Sequence, residues 1–390
     1  MTSFDLHTRT SADAAPVDPE RFHLADVPAL LGAHGDLASR AMRVTGLDAM
    51  TIAVDGNAFT WRLDERGQLE VVEGDDGAGP RADLSGRWFS DLVGDVRSAM
   101  AVMISGDPVM TRGRIGHLVR WDLALRALVD GRPAYEPGTI DFTAPDGAPL
   151  DLGRSFRIDD DPSELRHFLA EAGFLHLRGV FDPAELVVLD GEITRWLDAL
   201  APDDPRAWFA TAAGERVCVR ATNLALDDVE FPFAERLAPI SDLAGVGHRY
   251  GGTDLLRKPV GVTEGISDLP WHRDCDPGMH SYRCCSLTVG VSVTPSGADN
   301  GQLGAVAGSH RANLTLFDLD RVELPRVFVG TDAGDVTVHL SCTLHCATPP
   351  LHSERRVTYS SLRLPVDTAG LEASFRASRD VAARETYAPR

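Results

Sequence analysis

Lysine is almost absent from this 390-residue chain: Lys258 is the only one, and the other 37 basic residues are arginine. The bias is that of a G+C-rich coding sequence, and it marks Lys258 as a place where arginine's planar fork fits poorly. Positive charge is scarce overall. The formal net charge is -20, which excludes a polyanionic partner such as DNA or RNA, because phosphate contacts need clustered Lys and Arg. Such an acidic surface favours solubility. Long apolar runs are missing too. None reaches the roughly 18 residues that a membrane span needs, so no membrane partner is expected. Met1 to Pro19 is polar and acidic, without the apolar core of a signal peptide. It reads as a flexible tail (residues 1–19), and a cytoplasmic location is expected. Cysteine is sparse, with Cys218, Cys275, Cys284, Cys285, Cys342 and Cys346 all in the C-terminal half. Their spacing matches no zinc ribbon and no CxxC motif, so free thiols are expected.

What is present divides into two halves, each long enough to bury a core. Ile52 and Val54 alternate with other residues, Asp55-Gly56-Asn57 turns the chain, and Phe59, Trp61 and Leu63 alternate again. Leu69 and Val71 follow a second turn at Glu65-Arg66-Gly67. Trp88, Leu92, Val96 and Met100 recur at helical spacing, as do Leu118, Trp121, Leu125 and Leu128. Strands followed by helices that cover one face make an α+β layer domain over residues 20–134.

Residues 135–153, rich in Pro, Gly and Asp, read as a linker. Asp161-Pro162-Ser163-Glu164 then carries a helix start, and Leu165, Phe168, Leu169 and Ala172 form an apolar stripe that Gly173 ends. Asp182-Pro183-Ala184-Glu185 repeats the design before Leu186, Leu189, Ile193 and Leu197. Beyond Leu255 the pattern is of short strands between Gly, Pro, Asp and Asn, which predicts a sandwich or barrel over residues 154–390.

The chemistry-bearing pattern is His272-Arg273-Asp274, with His345 downstream and Arg356 eleven residues further on. Residues two apart on a strand face the same side, so His272 and Asp274 can bind one metal together while His345 arrives from another strand. Two imidazoles and one carboxylate leave open positions on a non-haem iron(II) ion. An HxD triplet alone is weak evidence in a chain with 13 histidines. His339 is the rival distal ligand, and Arg355 rivals Arg356, although strand alternation lets only one of that pair face inward.

Context strengthens the pattern. Gly173-Phe174-Leu175-His176-Leu177-Arg178-Gly179-Val180-Phe181-Asp182, Lys258-Pro259 and Trp271-His272-Arg273-Asp274 come first in order. Asn300-Gly301-Gln302-Leu303, Gly308-Ser309-His310-Arg311, Gly334-Asp335-Val336, Leu344-His345 and Arg356 follow. Together they resemble the phytanoyl-CoA dioxygenase (PhyH) family over about residues 155–365. The resemblance implies a double-stranded β-helix, or jelly roll, using Fe(II), 2-oxoglutarate and O2. By the same resemblance His272, Asp274 and His345 are the catalytic iron ligands. The family spacing of eleven makes Arg356, rather than Arg355, the anchor of the co-substrate's far carboxylate. Lys258 and Thr288 are further candidates for carboxylate contacts, Asp276 and His280 for substrate contacts. His339 and His310 are read as packing residues. One departure is Thr348-Pro349-Pro350, where many relatives carry Asn.

The order Asp55 to Leu63, Ala82-Asp83-Leu84-Ser85, the Trp88–Met100 helix, Ile104-Ser105-Gly106-Asp107 and Val109-Met110-Thr111-Arg112-Gly113 resembles a sterol-carrier-protein-2-like (SCP2-like) domain. That likeness implies either an apolar tunnel or a filled core used for docking or for a homo-oligomer. The expectation is therefore a dioxygenase that hydroxylates an unactivated C–H of a small, apolar natural product, releasing succinate and CO2. Two alternatives stand beside it: a lipid-transfer protein with a vestigial oxygenase half, and a non-oxidative metal-dependent jelly-roll enzyme.

Overall fold

The structure is a computed structural model that describes residues 15–77, 79–104, 109–244, 248–265, 269–275 and 286–363. Met1 to Ala14, Asp276, His280, Cys284 and Cys285 lie outside the described residues.

A one-turn helix α1 (Pro19–Arg21) leads into α2 (Val27–Thr45), which Gly46 ends in the left-handed conformation. The sequence pattern had not marked α2: glycines at 32 and 35 depress its helix propensity, and tertiary packing supplies what propensity withholds. The predicted meander follows. Strands β1 (Ala49–Val54) and β2 (Asn57–Leu63) pair across the Asp55-Gly56 turn, and β3 (Leu69–Glu73) adds beside β2. β4 (Arg81–Leu84) runs parallel to β1. The helix expected from Trp88 to Met100 is two helices, α3 (Gly86–Val93) and α4 (Ala99–Ile104). Gly94 and Asp95 break it, with Asp95 at φ 53, a conformation no helix interior tolerates. β5 (Val109–Arg112) and α5 (Ile115–Asp130) complete a five-stranded sheet in the order β3-β2-β1-β4-β5, backed by helices. Trp61, Trp121, Phe59, Phe89, Met42 and Met50 fill its interior, all fully buried.

The segment read as a linker is held to the second domain at several points. Tyr135 N–H donates to the Asn313 carbonyl, Arg311 donates to the Asp141 carbonyl, and Phe142 packs over Gly308.

The second domain opens with α6 (Pro162–Ala172), capped by Asp161 and ended by left-handed Gly173, as its sequence predicts. β6 (Phe174–Leu177) and α7 (Pro183–Ala199), the latter with a full Asp182/Glu185 capping box, follow. β7 (Ala207–Ala212), β8 (Glu215–Leu224), the short helices α8 (Phe233–Arg236) and α9 (Ala238–Ala244), β9 (Arg249–Lys258) and β10 (Val262–Glu264) come next. The remaining strands are β11 (Leu269–His272), β12 (Leu287–Ser292), β13 (Leu303–Val306), β14 (Arg326–Val329), β15 (Val336–Leu340), β16 (His345–Ala347) and β17 (Arg355–Arg363). They form an eight-stranded sheet, β10-β7-β8-β9-β17-β12-β15-β6, and a four-stranded sheet, β11-β16-β13-β14. The outcome is the expected sandwich.

Alternation along the large sheet decides what faces where. Leu287, Val289 and Val291 turn to a core shared with Phe168, Leu189 and Ile193 of the helices. Thr288 and Gly290 face the other way, with cross-strand partners His339 and Thr337 on β15 and Ser361 and Tyr359 on β17. That inner face looks towards the small sheet.

Candidate metal centre

Antiparallel pairing sets His272 of β11 directly opposite His345 of β16, with ring centroids 4.2 Å apart. Asp274 lies two residues past His272, and its Oδ1 is 3.5 Å from His272 Nε2 and 3.4 Å from His345 Nε2. The three ligand atoms all lie within 4.8 Å of one another. Donors held about 2.0–2.2 Å from one ion in adjacent positions would sit about 3 Å apart, so the three need move little to close on a metal.

Proton bookkeeping supports the same reading. His272 Nδ1 is 2.7 Å from the Pro270 carbonyl and His345 Nδ1 is 2.9 Å from the Thr343 carbonyl. A carbonyl only accepts, so both Nδ1 atoms carry hydrogen, and in the neutral rings each Nε2 presents a lone pair. Two lone pairs aimed at a carboxylate oxygen repel it unless a cation lies between them. A proton on the imidazoles would be one such cation: burial pushes the Asp274 carboxyl up, but the charge of a protonated His345 and hydrogen bonds from His272, His339 and His345 would then outweigh it and hold the group well below the usual carboxylate range.

The large sheet orients the carboxylate. Thr288 Oγ1 donates to Asp274 Oδ2 at 2.5 Å, and His339 Nε2 lies 3.1 Å from the same oxygen. One oxygen is thus held by β12 and β15, while the other faces the two histidines. His339 is 1% exposed and its ring lies 4.1 Å from that of His345. Thr288, expected to meet a co-substrate, instead holds Asp274.

Arg273, between two candidate ligands, points away from them by alternation and is 5% exposed. Its guanidinium donates to the carbonyls of Cys342 (3.0 Å), Leu314 (3.1 Å) and Ser309 (3.5 Å), tying the metal motif to two neighbouring loops. Reading the motif as ligands alone missed this; its signal was a cation on the opposite side of a strand from the ligands. His310 donates from Nε2 to the Ala170 carbonyl, and burial lowers its pKa to about 4, in keeping with a packing role.

The arginine pair is reversed from expectation. Arg355 shares the inner face with Tyr359 and Ser361, is 1% exposed, and donates to the Gly301 carbonyl. Arg356 turns outward to α7, where Asp190 and Thr194 each accept from it at 2.9 Å and Glu354 accepts at 2.8 Å. The physical reason is the two-residue period of β17: the loop from His345 sets its phase, and counting along the chain does not. Lys258, 3% exposed, lies opposite Arg355 in register.

Comparison with known proteins finds no match among curated ones. Among solved structures, AviO1 from Streptomyces viridochromogenes Tue57 is 24% identical, covering 53% of this chain and 96% of that one, with a TM-score of 0.42. The non-haem α-ketoglutarate-dependent carbocyclase SnoK from nogalamycin biosynthesis is 21% identical over 56% of this chain and 93% of its own, at a TM-score of 0.43. EctD from S. alaskensis with bound Fe is 20% identical over 60% and 83%, at 0.44. No helix among the described residues is long and apolar enough to cross a membrane. The family match does not reach the N-terminal domain, whose expected α+β architecture is present. Residues 169–357, which contain the three candidate ligands, match the phytanoyl-CoA dioxygenase (PhyH) family.

Proposed function

We propose that the protein is an Fe(II)/2-oxoglutarate-dependent oxygenase acting on a small organic molecule, with His272, Asp274 and His345 as the iron ligands. One observation carries the reading: Asp274 Oδ1 faces two imidazole nitrogens whose rings donate their Nδ1 hydrogens to carbonyls. When bound, iron and 2-oxoglutarate supply the oxidation of an unactivated C–H coupled to release of succinate and CO2. The chain's own residues bind and orient. Thr288 and His339 fix the carboxylate, Arg273 fixes the loop that bears it, and the open face leaves room for co-substrate.

We assign the far carboxylate of 2-oxoglutarate to Arg355 rather than Arg356. Arg355 faces inward, its Nε has no hydrogen-bond partner among the described residues, and Lys258 lies beside it. A guanidinium fork can engage both carboxylate oxygens, at about 1.5–3 kcal/mol for each charge-assisted bond. Hydroxylation is the simplest outcome of such a site. The N-terminal domain, whose interior is filled by aromatic side chains and which hydrogen-bonds to the loop at Asn313, serves as a docking element rather than a lipid carrier.

An anaerobic titration tests the reading. Fe(II) with 2-oxoglutarate is expected to give a weak visible charge-transfer band, lost in Asp274→Ala with at least about a hundredfold fall in turnover. A wild-type protein without the band, or a variant that keeps it, sinks the assignment.

A further inference from the structure

Beyond the metal, β17 carries a second inward cation. Arg363 lies on the same side of the strand as Arg355, Tyr359 and Ser361, eight residues from Arg355 and two from Ser361. Ser361 is the cross-strand neighbour of Thr288, which hydrogen-bonds Asp274. Two residues along a strand span about 7 Å, so Arg363 stands one step past the level of the metal ligands, at the opposite end of the inner face from Arg355.

Its surroundings differ from those of three other arginines on the sheet. Arg356, Arg257 and Arg220 each meet a carboxylate, on Asp190, Asp198 and Asp254 respectively. Arg363 is half-buried, donates to the Gly251 carbonyl at 3.2 Å, and has no carboxylate partner among the described residues. Burial lowers its pKa with no opposing charge to restore it. Acidic residues outnumber basic ones by 58 to 38, so a shortage of acids does not explain why Arg363 forms no ion pair among the described residues.

The backbone is shaped to receive it. Between Ser361 and Leu362 the pairing of β17 with β9 slips, leaving Gly251 as an extra residue. A Cβ at Gly251 would fall 2.6 Å from Arg363 Nε and 2.7 Å from Ser361 Oγ. Any side chain there would displace the guanidinium. Arg249, exposed and paired across from Arg363, adds a second positive charge at the rim.

We propose that Arg363 binds an oxyanion carried by the substrate, a carboxylate or a sulfate or phosphate ester, and so holds the substrate's reacting carbon over the metal site from the side away from Arg355. The inference rests on the oxygenase reading and gives it a substrate class. A planar fork suits such a group, and each charge-assisted bond adds about tenfold or more in affinity.

The test uses the full chain, anaerobically loaded with Fe(II) and saturating 2-oxoglutarate. The probes are straight-chain carboxylates and alkyl sulfates, each beside the amide or alcohol of equal length. Melting shifts and changes in the charge-transfer band report binding. In the wild type the anionic probes should bind about tenfold tighter than their neutral counterparts. Arg363→Gln should abolish that preference and Arg363→Lys should keep part of it, with 2-oxoglutarate affinity unchanged in both. Carboxylates alone responding, or sulfates alone, identifies the oxyanion. Equal binding of charged and neutral probes to the wild type overturns the proposal, as does a preference that survives Arg363→Gln. A Gln variant that loses 2-oxoglutarate instead assigns the arginine to the co-substrate and also overturns it. Absence of the band in the wild type fails the oxygenase reading separately, because melting shifts still register the anion preference.

Discussion

The two domains bury charge in opposite ways. In the N-terminal domain every described charged group in the core answers another. Arg126, 1% exposed, donates to Asp130 at 2.8 Å and to the carbonyls of Leu92 and Val93, with Asp122 3.8 Å from its Nε. Asp122 accepts the Ala99 N–H at 3.0 Å, and Arg97 pairs with Asp91 at 3.3 Å while lying over Trp88. These ion pairs staple α3, α4 and α5 together. On the inner face of the sandwich the charges are left open. Two histidine nitrogens face one carboxylate oxygen, and Arg355 and Arg363 meet no acid among the described residues. Buried polarity that satisfies itself is architecture; buried polarity that converges on a gap is a binding site.

The sharpest way to break this contrast is to mutate the neighbours on β17. Arg355→Gln is expected to raise the KM for 2-oxoglutarate by up to about a hundredfold, from the loss of one or two charge-assisted bonds. Arg356→Gln should leave that KM within about threefold and lower the melting temperature instead, since it releases α7. Steady-state kinetics beside thermal melts of both variants decides it; the reverse pattern restores Arg356 as the anchor.

A smaller effect is expected where the two domains meet. Asn313 is 1% exposed, and its amide donates to the carbonyls of Leu123 (3.0 Å) and Arg132 (3.1 Å) in the N-terminal half. Asn313→Ala strips both, at a cost of about 2 kcal/mol. Denaturant unfolding should then show the two halves separating into distinct transitions. The neighbouring Leu314 carbonyl accepts from Arg273, so metal affinity should weaken as well. An unaltered single transition argues that the docking is incidental.

The smallest effect tests the ion pairs of the N-terminal core. Burial pushes the Asp122 carboxyl up to about 6, against the pull of Arg126. A raised acid binds its proton more tightly when folded, so the charged form destabilises the fold above that pH. The penalty relaxes as pH falls from about 6 towards the unfolded value near 4. Asp122→Asn keeps an acceptor for Ala99 and removes the charge. It should gain on the order of 1 kcal/mol over the wild type at pH 8 and little at pH 4.5, as melts across that range would show. A variant less stable at both values would mean that the Arg126 pairing outweighs the burial penalty.

Local signals in the sequence were read well where chemistry is local. The Asp161 and Asp182 caps, the Gly173 stop and the Asp55-Gly56 hairpin all form as their residues dictate, because a cap or turn involves only a few neighbours. That His272, Asp274 and His345 converge was legible because their residue types are rare together and their spacing on a strand is informative. The helix over Val27–Thr45 and the break at Gly94-Asp95 were not, since packing and a single left-handed residue overrode periodicity.

By itself, then, the sequence determined the two-part organisation, the capped helices, the sandwich and which three side chains to look for as candidate metal ligands. Tertiary structure alone decided that Arg355 faces in and Arg356 out, that Thr288 and His339 share one oxygen of Asp274, and that Arg363 has no acid beside it among the described residues. Each depends on strand phase and cross-strand register. A shift of one residue there inverts every side chain, and the loops and pairings that set the phase involve residues far apart in the chain.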